Sequence, residues 1–328
     1  MNDRRWEDRR RDDREPIDER AIERSIGELR VRAVDLGFAY RPDRPVLRDV
    51  DFEARTGDVV GLLGRNGSGK TTLLHLLAGL LDPTAGRVDV SGRPAVVADR
   101  TPFIESFTAR ENILGTLALR GRGDDEAPAV ADFFLRCFGL YDDADRPVGE
   151  FSLGMRRRLA LAEGFAADQQ VVLLDEPTTG LDPAAREHLA DMLDDHSHEG
   201  LTAVLATNDA GFAERVCDTV LFLHDGRIVA RGSPAVMIAG LDAPTLLEIE
   251  MSGSSPHGSP PDGLAIVAGT AGGLTLSAPR AERRLPEVWA WLESAGCAPR
   301  EVKIRAPGLA DVFRAHTGED LPRSSDPA

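Results

Sequence analysis

From Leu29 onward, apolar and polar positions alternate (Leu29, Val31 and Ala33 against Arg30 and Arg32), which is the period of a half-buried strand. Strand-like stretches follow at 45–55 and 58–63. The second, DVVGLL, is an apolar run suited to a strand covered on both faces. A helix is predicted to start near Lys70, with Leu73, Leu74, Leu76 and Leu77 on its apolar side. Two short strands are expected within 87–98, and a mostly helical stretch from Thr108 to Ala167, interrupted around 141–150. Then come a strand at 171–177 (VVLLDEP), a helix at 183–196, a strand at 202–207 (TAVLAT) and a hairpin at 219–232 turning at Asp225-Gly226. Strands alternating with helices imply an α/β fold with a substantially parallel sheet. A run of small, polar and proline residues at 252–263 reads as a linker. Beyond it, LAIVAG and LTLSA suggest a hairpin, followed by a helix at 283–295, a strand at 300–306 and a last helix near 309–317 ending at Gly318. Three regions are therefore expected: 1–28, 29–241, and a small α+β domain at 242–328.

Composition changes this picture at the N-terminus. Residues 1–28 are dominated by Arg, Asp and Glu and hold too little apolar surface to offset their ordering entropy, so a disordered arm is expected, or else an exposed helix of opposite-charge pairs. The segment has no apolar stretch of the secretory kind, and no run in the chain reaches the roughly 20 apolar residues of a membrane span. The net charge of −16 argues against nucleic acid as a partner. Three well-separated cysteines, Cys137, Cys217 and Cys297, fit neither a metal motif nor a disulfide framework, and point to the reducing cytosol. The only lysines are Lys70 and Lys303.

Lys70 belongs to a motif. Gly64-Arg65-Asn66-Gly67-Ser68-Gly69-Lys70-Thr71 satisfies G-x-x-x-x-G-K-[ST] and lies between an expected strand and an expected helix, the context that makes it a P-loop. Glycines let successive N–H groups point into one concavity, and the following helix presents its positive end there. Lys70 would reach the β- and γ-phosphates, the Thr71 hydroxyl would ligate Mg²⁺, and Thr72 follows in the same cradle. In 171–176 (VVLLDE), an apolar strand ends in two acids: Asp175, placed to hold Mg²⁺, and Glu176, placed to orient or deprotonate an attacking water.

With these motifs the chain resembles the ATP-binding subunit of an ATP-binding-cassette (ABC) transporter over about residues 29–241. Walker A is GRNGSGKT at 64–71 and Walker B is VVLLDE at 171–176. Ser152, Leu153 and Gly154 match the family's signature, followed by three arginines, and Asp182 in Gly180-Leu181-Asp182 matches its D-loop. Tyr40 stands where members stack an aromatic ring on adenine. The resemblance implies a P-loop ABC ATPase core: a mixed sheet with an antiparallel part and a helical subdomain at about 100–165. It also implies ATP and Mg²⁺ as cofactors, two such subunits (identical or not) sandwiching two nucleotides, each signature capping the γ-phosphate held by the other, and a separate transmembrane permease. The location so implied is cytoplasmic, peripheral on the inner face of the cell membrane. The ending PGLADVFRAHTGEDL is similar to the tail of antibiotic, polysaccharide and nodulation-factor exporters.

Departures from the family pattern qualify the activity. Leu153 and Met155 replace the usual Gly and Gln of the signature. Asp99 stands at the Q-loop position, where it would hold Mg²⁺ or a water, and Asn208 stands at the switch histidine. Asn donates a hydrogen bond but cannot become cationic. Two readings follow: an exporter ATPase with slow turnover, or a nucleotide-gated regulatory subunit that scarcely hydrolyses. A soluble relative acting on ribosomes or DNA is disfavoured by the single cassette and the negative charge. The histidines His188, His196, His198 and His224 are assigned no chemistry.

Overall fold

Runs of consecutive apolar residues become the central strands of the molecule, because only a strand covered on both faces hides all its side chains. The structure is a computed structural model that describes residues 27–98, 100–123, 125–167, 169–241, 243–252, 256, 259–270, 272–279 and 281–322. The expected arm at 1–28 lies, up to residue 26, outside the described residues. In chain order the elements are β1 (Leu29–Arg41), β2 (Arg44–Arg55), β3 (Val59–Leu63), α1 (Lys70–Leu77), β4 (Ala85–Val90), β5 (Ala95–Val97), α2 (Ala109–Leu119), α3 (Ala127–Cys137) and α4 (Leu153–Ala166). There follow β6 (Val171–Asp175), α5 (Pro183–His198), β7 (Thr202–Thr207), α6 (Ala210–Val216), β8 (Thr219–His224), β9 (Arg227–Gly232) and α7 (Pro234–Ala239). The C-terminal elements are β10 (Thr245–Ser252), β11 (Ala265–Thr270), β12 (Gly273–Ala278), α8 (Leu285–Ser294), β13 (Ala298–Arg305) and α9 (Leu309–Thr317).

A six-stranded sheet has the order β5-β6-β7-β3-β8-β9, parallel except for β9, which turns back as a hairpin partner of β8. Every residue of β3, β6 and β7 is buried. Alternate side chains of β6 enter different cores: Val171 and Leu173 pack with α1 and the antiparallel sheet β2-β1-β4, whereas Val172 and Leu174 face the helices. The molecule is thus an α/β mixed sheet with an antiparallel layer on one side and α2, α3 and α4 as a helical subdomain on the other. A second antiparallel sheet, β11-β12-β10-β13, packs α8 on one face through Leu247, Ile249, Leu276, Val288 and Leu292. The last helix, α9, leaves that sheet and docks on the first core: Leu309, Val312 and Phe313 are buried there, and the Phe313 ring meets Phe222 of β8 edge-on at 5.4 Å.

Three elements were not anticipated by the periodicity. The helices α6 and α7 span seven and six residues, too short to display a helical repeat. The strand β10 does alternate, with Thr245, Leu247, Ile249 and Met251 buried, but it abuts the linker-like stretch and reads as its approach.

The helical subdomain contains a poorly compensated carboxyl group. Glu163 of α4 accepts a hydrogen bond from the Thr116 hydroxyl of α2, while its Oε2 is buried without a hydrogen-bond partner. Burial pushes the Glu163 pKa above the ordinary carboxylate value, against the weaker opposing effects of Thr116 and Arg120. A carboxyl whose pKa is higher in the folded than in the unfolded chain favours folding while both states are protonated, and this support is lost as pH rises through the folded pKa. Glu163→Gln should therefore raise Tm by about 2–4 °C at pH 8. The gain should shrink toward zero at pH values near the ordinary carboxylate range. Thermal denaturation of both proteins across pH checks it, and a pH-independent difference would contradict it.

Candidate functional site

Parallel pairing brings the carboxyl ends of β3, β6 and β7 to one edge of the sheet, so three sequence-distant loops meet there. The loop after β3 is the 64–71 turn. Gly69 caps α1 in the left-handed region with φ 110°, and a Cβ there would stand 2.7 Å from the Leu47 side chain. At Gly64 a Cβ would fall 2.2 Å from the Leu223 carbonyl, so only glycine lets the loop lie against β8. Arg65, Asn66 and Gly67 are exposed at the rim, and Ser68 and Thr72 are buried beneath it. Arg65 also pairs with Glu319 just past α9 at 2.7 Å.

Lys70, only 6% exposed, folds its ammonium under this loop. It donates to the Gly64 carbonyl at 2.7 Å and the Arg65 carbonyl at 3.3 Å, and its nitrogen lies 3.7 Å from a Glu176 oxygen. Burial lowers the Lys70 pKa; Glu176 and Asp175 oppose this. Burial likewise raises that of Glu176, opposed chiefly by Lys70. One cation and two acids therefore share a poorly solvated space.

At the end of β6 the Thr71 hydroxyl donates to Asp175 at 2.8 Å. Hydroxyl and carboxylate oxygens are hard donors of the kind Mg²⁺ takes together with phosphate oxygens, so these two residues fit such an ion. Among the described residues no group of three or more His, Cys, Asp or Glu side chains could hold a metal by itself. Asp99, expected nearby, lies outside the described residues. Glu176 sits in the left-handed region at φ 46° and turns its carboxylate toward β7. There Oε2 accepts from the Thr207 hydroxyl and from the Asn208 backbone N–H, both at 3.3 Å. Asn208 thus stands beside Glu176.

Tyr40 is exposed at the tip of β1 and meets the Phe38 ring edge-on at 4.8 Å. It lines a cavity of about 650 Å³ together with Arg44, Val46, Gly67 and Gly226. A second cavity, of about 480 Å³, runs along Gly69, Lys70, Thr71, Asp175 and Glu176. Val46 and Gly67 line both, so the cavity beside Tyr40 adjoins the one over Lys70.

The other expected residues lie at the starts of α4 and α5. Ser152 caps α4, its hydroxyl accepting from the Met155 N–H at 3.3 Å. Leu153 is 76% exposed on the outside of that helix start. Gly154 faces the Gly180 carbonyl, which a Cβ would approach to 3.2 Å. Asp182 caps α5 by accepting from the Ala185 N–H at 2.8 Å. Sequence reasoning missed Thr207 and Arg157. A period-sensitive reading would have flagged Arg157, which shares the buried face of α4 with Ala160 and Leu161 three and four positions on.

The family model described as "ABC transporter" matches residues 47–179. The chain is 34% identical over 264 residues to the "Nod factor export ATP-binding protein I" of Burkholderia orbicola (strain AU 1054), covering 74% of this chain and 82% of that protein. It is also 34% identical over 296 residues to the "Daunorubicin resistance ATP-binding protein DrrA3" of Streptomyces coeruleorubidus, covering 85% and 93%. Among solved structures, one described as "Structure of ATP binding subunit of ABC transporter" superposes with a TM-score of 0.61 at 27% identity, covering 64% of this chain and 92% of that one.

Proposed function

Because the chain belongs to the ABC transporter family, among its ATP-binding subunits, we propose that it is the ATPase of a two-component exporter, closing as a dimer on ATP to drive a separate membrane permease. The observation that carries this reading is the meeting of Lys70, Asp175, Glu176 and Asn208 at one sheet edge, in a groove open toward Tyr40. Likeness to relatives named for export of Nod factor and for daunorubicin resistance supports the direction of transport.

Each residue then has a task. Tyr40 stacks the adenine. The 64–72 loop and the start of α1 bind the triphosphate through backbone N–H groups, with Lys70 as counter-charge. Thr71 and Asp175 would hold Mg²⁺, which, when bound, neutralises charge on the transferring phosphate; Asp99 is a third candidate. Glu176 orients and deprotonates the attacking water; burial raises its pKa, which suits a base, and the neighbouring Lys70 opposes that rise. Ser152, Leu153 and Gly154 form a surface for the γ-phosphate held by the second subunit, identical or different, with the Asp182 loop beside it. We place the nucleotide-binding part at 29–241, an accessory part at 242–328 anchored through α9, and a charged arm at 1–28. No described helix is long and apolar enough to cross a membrane; association with the inner face of the cell membrane would pass through the permease. Nucleic acid is not expected as a partner, given the charge of −16.

A second reading, gated binding with little hydrolysis, is favoured by one observation. The residue beside Glu176 at the end of β7 is Asn208, which brings no cation to the γ-phosphate. Purified chain should hydrolyse Mg-ATP, stop on addition of EDTA, and elute as a dimer with ATP in light-scattering measurements. Asn208→His should raise turnover about five- to tenfold, the difference between a neutral and a charge-assisted hydrogen bond. Binding without turnover in either protein would replace the first reading with the second.

A further inference from the structure

The reading of Glu176 as the base leaves its backbone unexplained. A non-glycine residue at φ 46° is strained and persists only where its surroundings over-determine it. One constraint is local: the Glu176 N–H donates to the Ala206 carbonyl of β7 at 2.8 Å. The other comes from Arg157, on the second turn of α4 and only 5% exposed. Its Nη2 donates to the carbonyls of both Asp175 and Glu176, and its Nε to that of Pro177 at 3.4 Å. Its Nη1 donates to the Ala98 carbonyl, just past β5, at 2.6 Å. A guanidinium has donors in a fixed planar fork and does not lose its proton, so it can hold several carbonyls in one planar arrangement, where a lysine offers a single rotatable ammonium. The carbonyls of Asp175, the last residue of β6, and of Glu176 and Pro177 just beyond it converge on this one buried group.

We infer that Arg157 is a positioning residue for hydrolysis: it fixes the left-handed turn that aims the Glu176 carboxylate, and it ties that aim to the helix beginning at Ser152. The tie follows from the fold. Arg157 and Ser152 ride on the same helix, whose first turn faces the surface proposed to meet the second subunit. A shift of α4 when that surface engages ATP moves the guanidinium and with it the Asp175–Pro177 carbonyls. Engagement in trans is thereby transmitted to the base in cis. The inference rests on the assignment of Glu176 as base.

The test measures kcat, Mg-ATP Kd and Tm for Arg157→Gln, Arg157→Lys, Glu176→Gln and the double variant. Misplacing a reacting group by about 1 Å costs on the order of 10²-fold in rate. Arg157→Gln should therefore lose about that much kcat with Kd within about threefold of wild type. In the Glu176→Gln background the same substitution should change the residual rate less than about twofold, because the aim of an absent base no longer matters. A full second loss in the double variant, or a parallel loss of Kd and kcat, would reduce Arg157 to a structural role and overturn the inference. Should Arg157→Gln fail to fold, Arg157→Lys, which keeps the charge without the fork, must show the kcat-only loss; wild-type kcat in it would also overturn the inference. Were Glu176→Gln itself to retain turnover, the assignment of the base would fall instead.

Discussion

Glu176→Gln should lower ATP turnover about 10²–10⁴-fold, the contribution of a positioned general base, while Mg-ATP binding stays within about threefold. The substitution keeps size and one acceptor for the Thr207 hydroxyl and the Asn208 N–H. It removes the group able to take a proton. Burial makes that carboxylate more basic than usual, and Lys70, 3.7 Å away, opposes the shift, a combination suited to a base. Loss of one negative charge beside a triphosphate leaves affinity equal or better. The variant should therefore accumulate in the nucleotide-bound state, and a dimer formed with ATP should outlast that of the unmodified chain in light scattering. Turnover within tenfold of wild type would show that water is activated elsewhere.

Much of this site was legible because its elements are local. The turn at 64–71 sits directly between an apolar run and a leucine-faced helix, and VVLLDE is its own strand and terminus. Pattern alone gave both, and parallel pairing forced their ends together. What escaped the sequence depends on contacts across long separations. The helical period puts Arg157 on the buried face of α4, but what it holds there shows only once the β5 and β6 carbonyls are placed around it. Arg156, its neighbour, turns outward and pairs with Glu105. The docking of α9 on Phe222 joins residues 91 positions apart, too far for periodicity to register. The Arg65–Glu319 pair then follows from that docking. Glu176 carries a left-handed φ that no pattern announces, since nothing in a strand-ending acid distinguishes a strained turn from a relaxed one.

Lys70→Ala should weaken Mg-ATP binding about 10²-fold and lower turnover by about 10³-fold. The ammonium is the cation on the floor of the phosphate groove; Arg65, at the rim, is engaged with Glu319. Charge-assisted hydrogen bonds contribute about 1.5–3 kcal/mol each, and about 1.4 kcal/mol is a factor of ten in Kd. Two such bonds lost to the terminal phosphates, partly offset by the Gly64 and Arg65 carbonyl contacts that Lys70 relinquishes on binding, leave roughly two decades of affinity. The further decade in rate arises because charge on the transferring phosphate grows toward the transition state, where a fixed cation matters most. Removing Lys70 also leaves Asp175 and Glu176 facing the triphosphate without their counter-charge, and removes the main opposition to the rise that burial causes in the Glu176 pKa. Lys70→Arg should restore little, since the bulkier planar fork does not fit under carbonyls placed for a compact ammonium. Calorimetry with Mg-ATP decides the outcome: an unaltered binding heat and Kd in Lys70→Ala would mean that the groove under Gly64 does not take the phosphates.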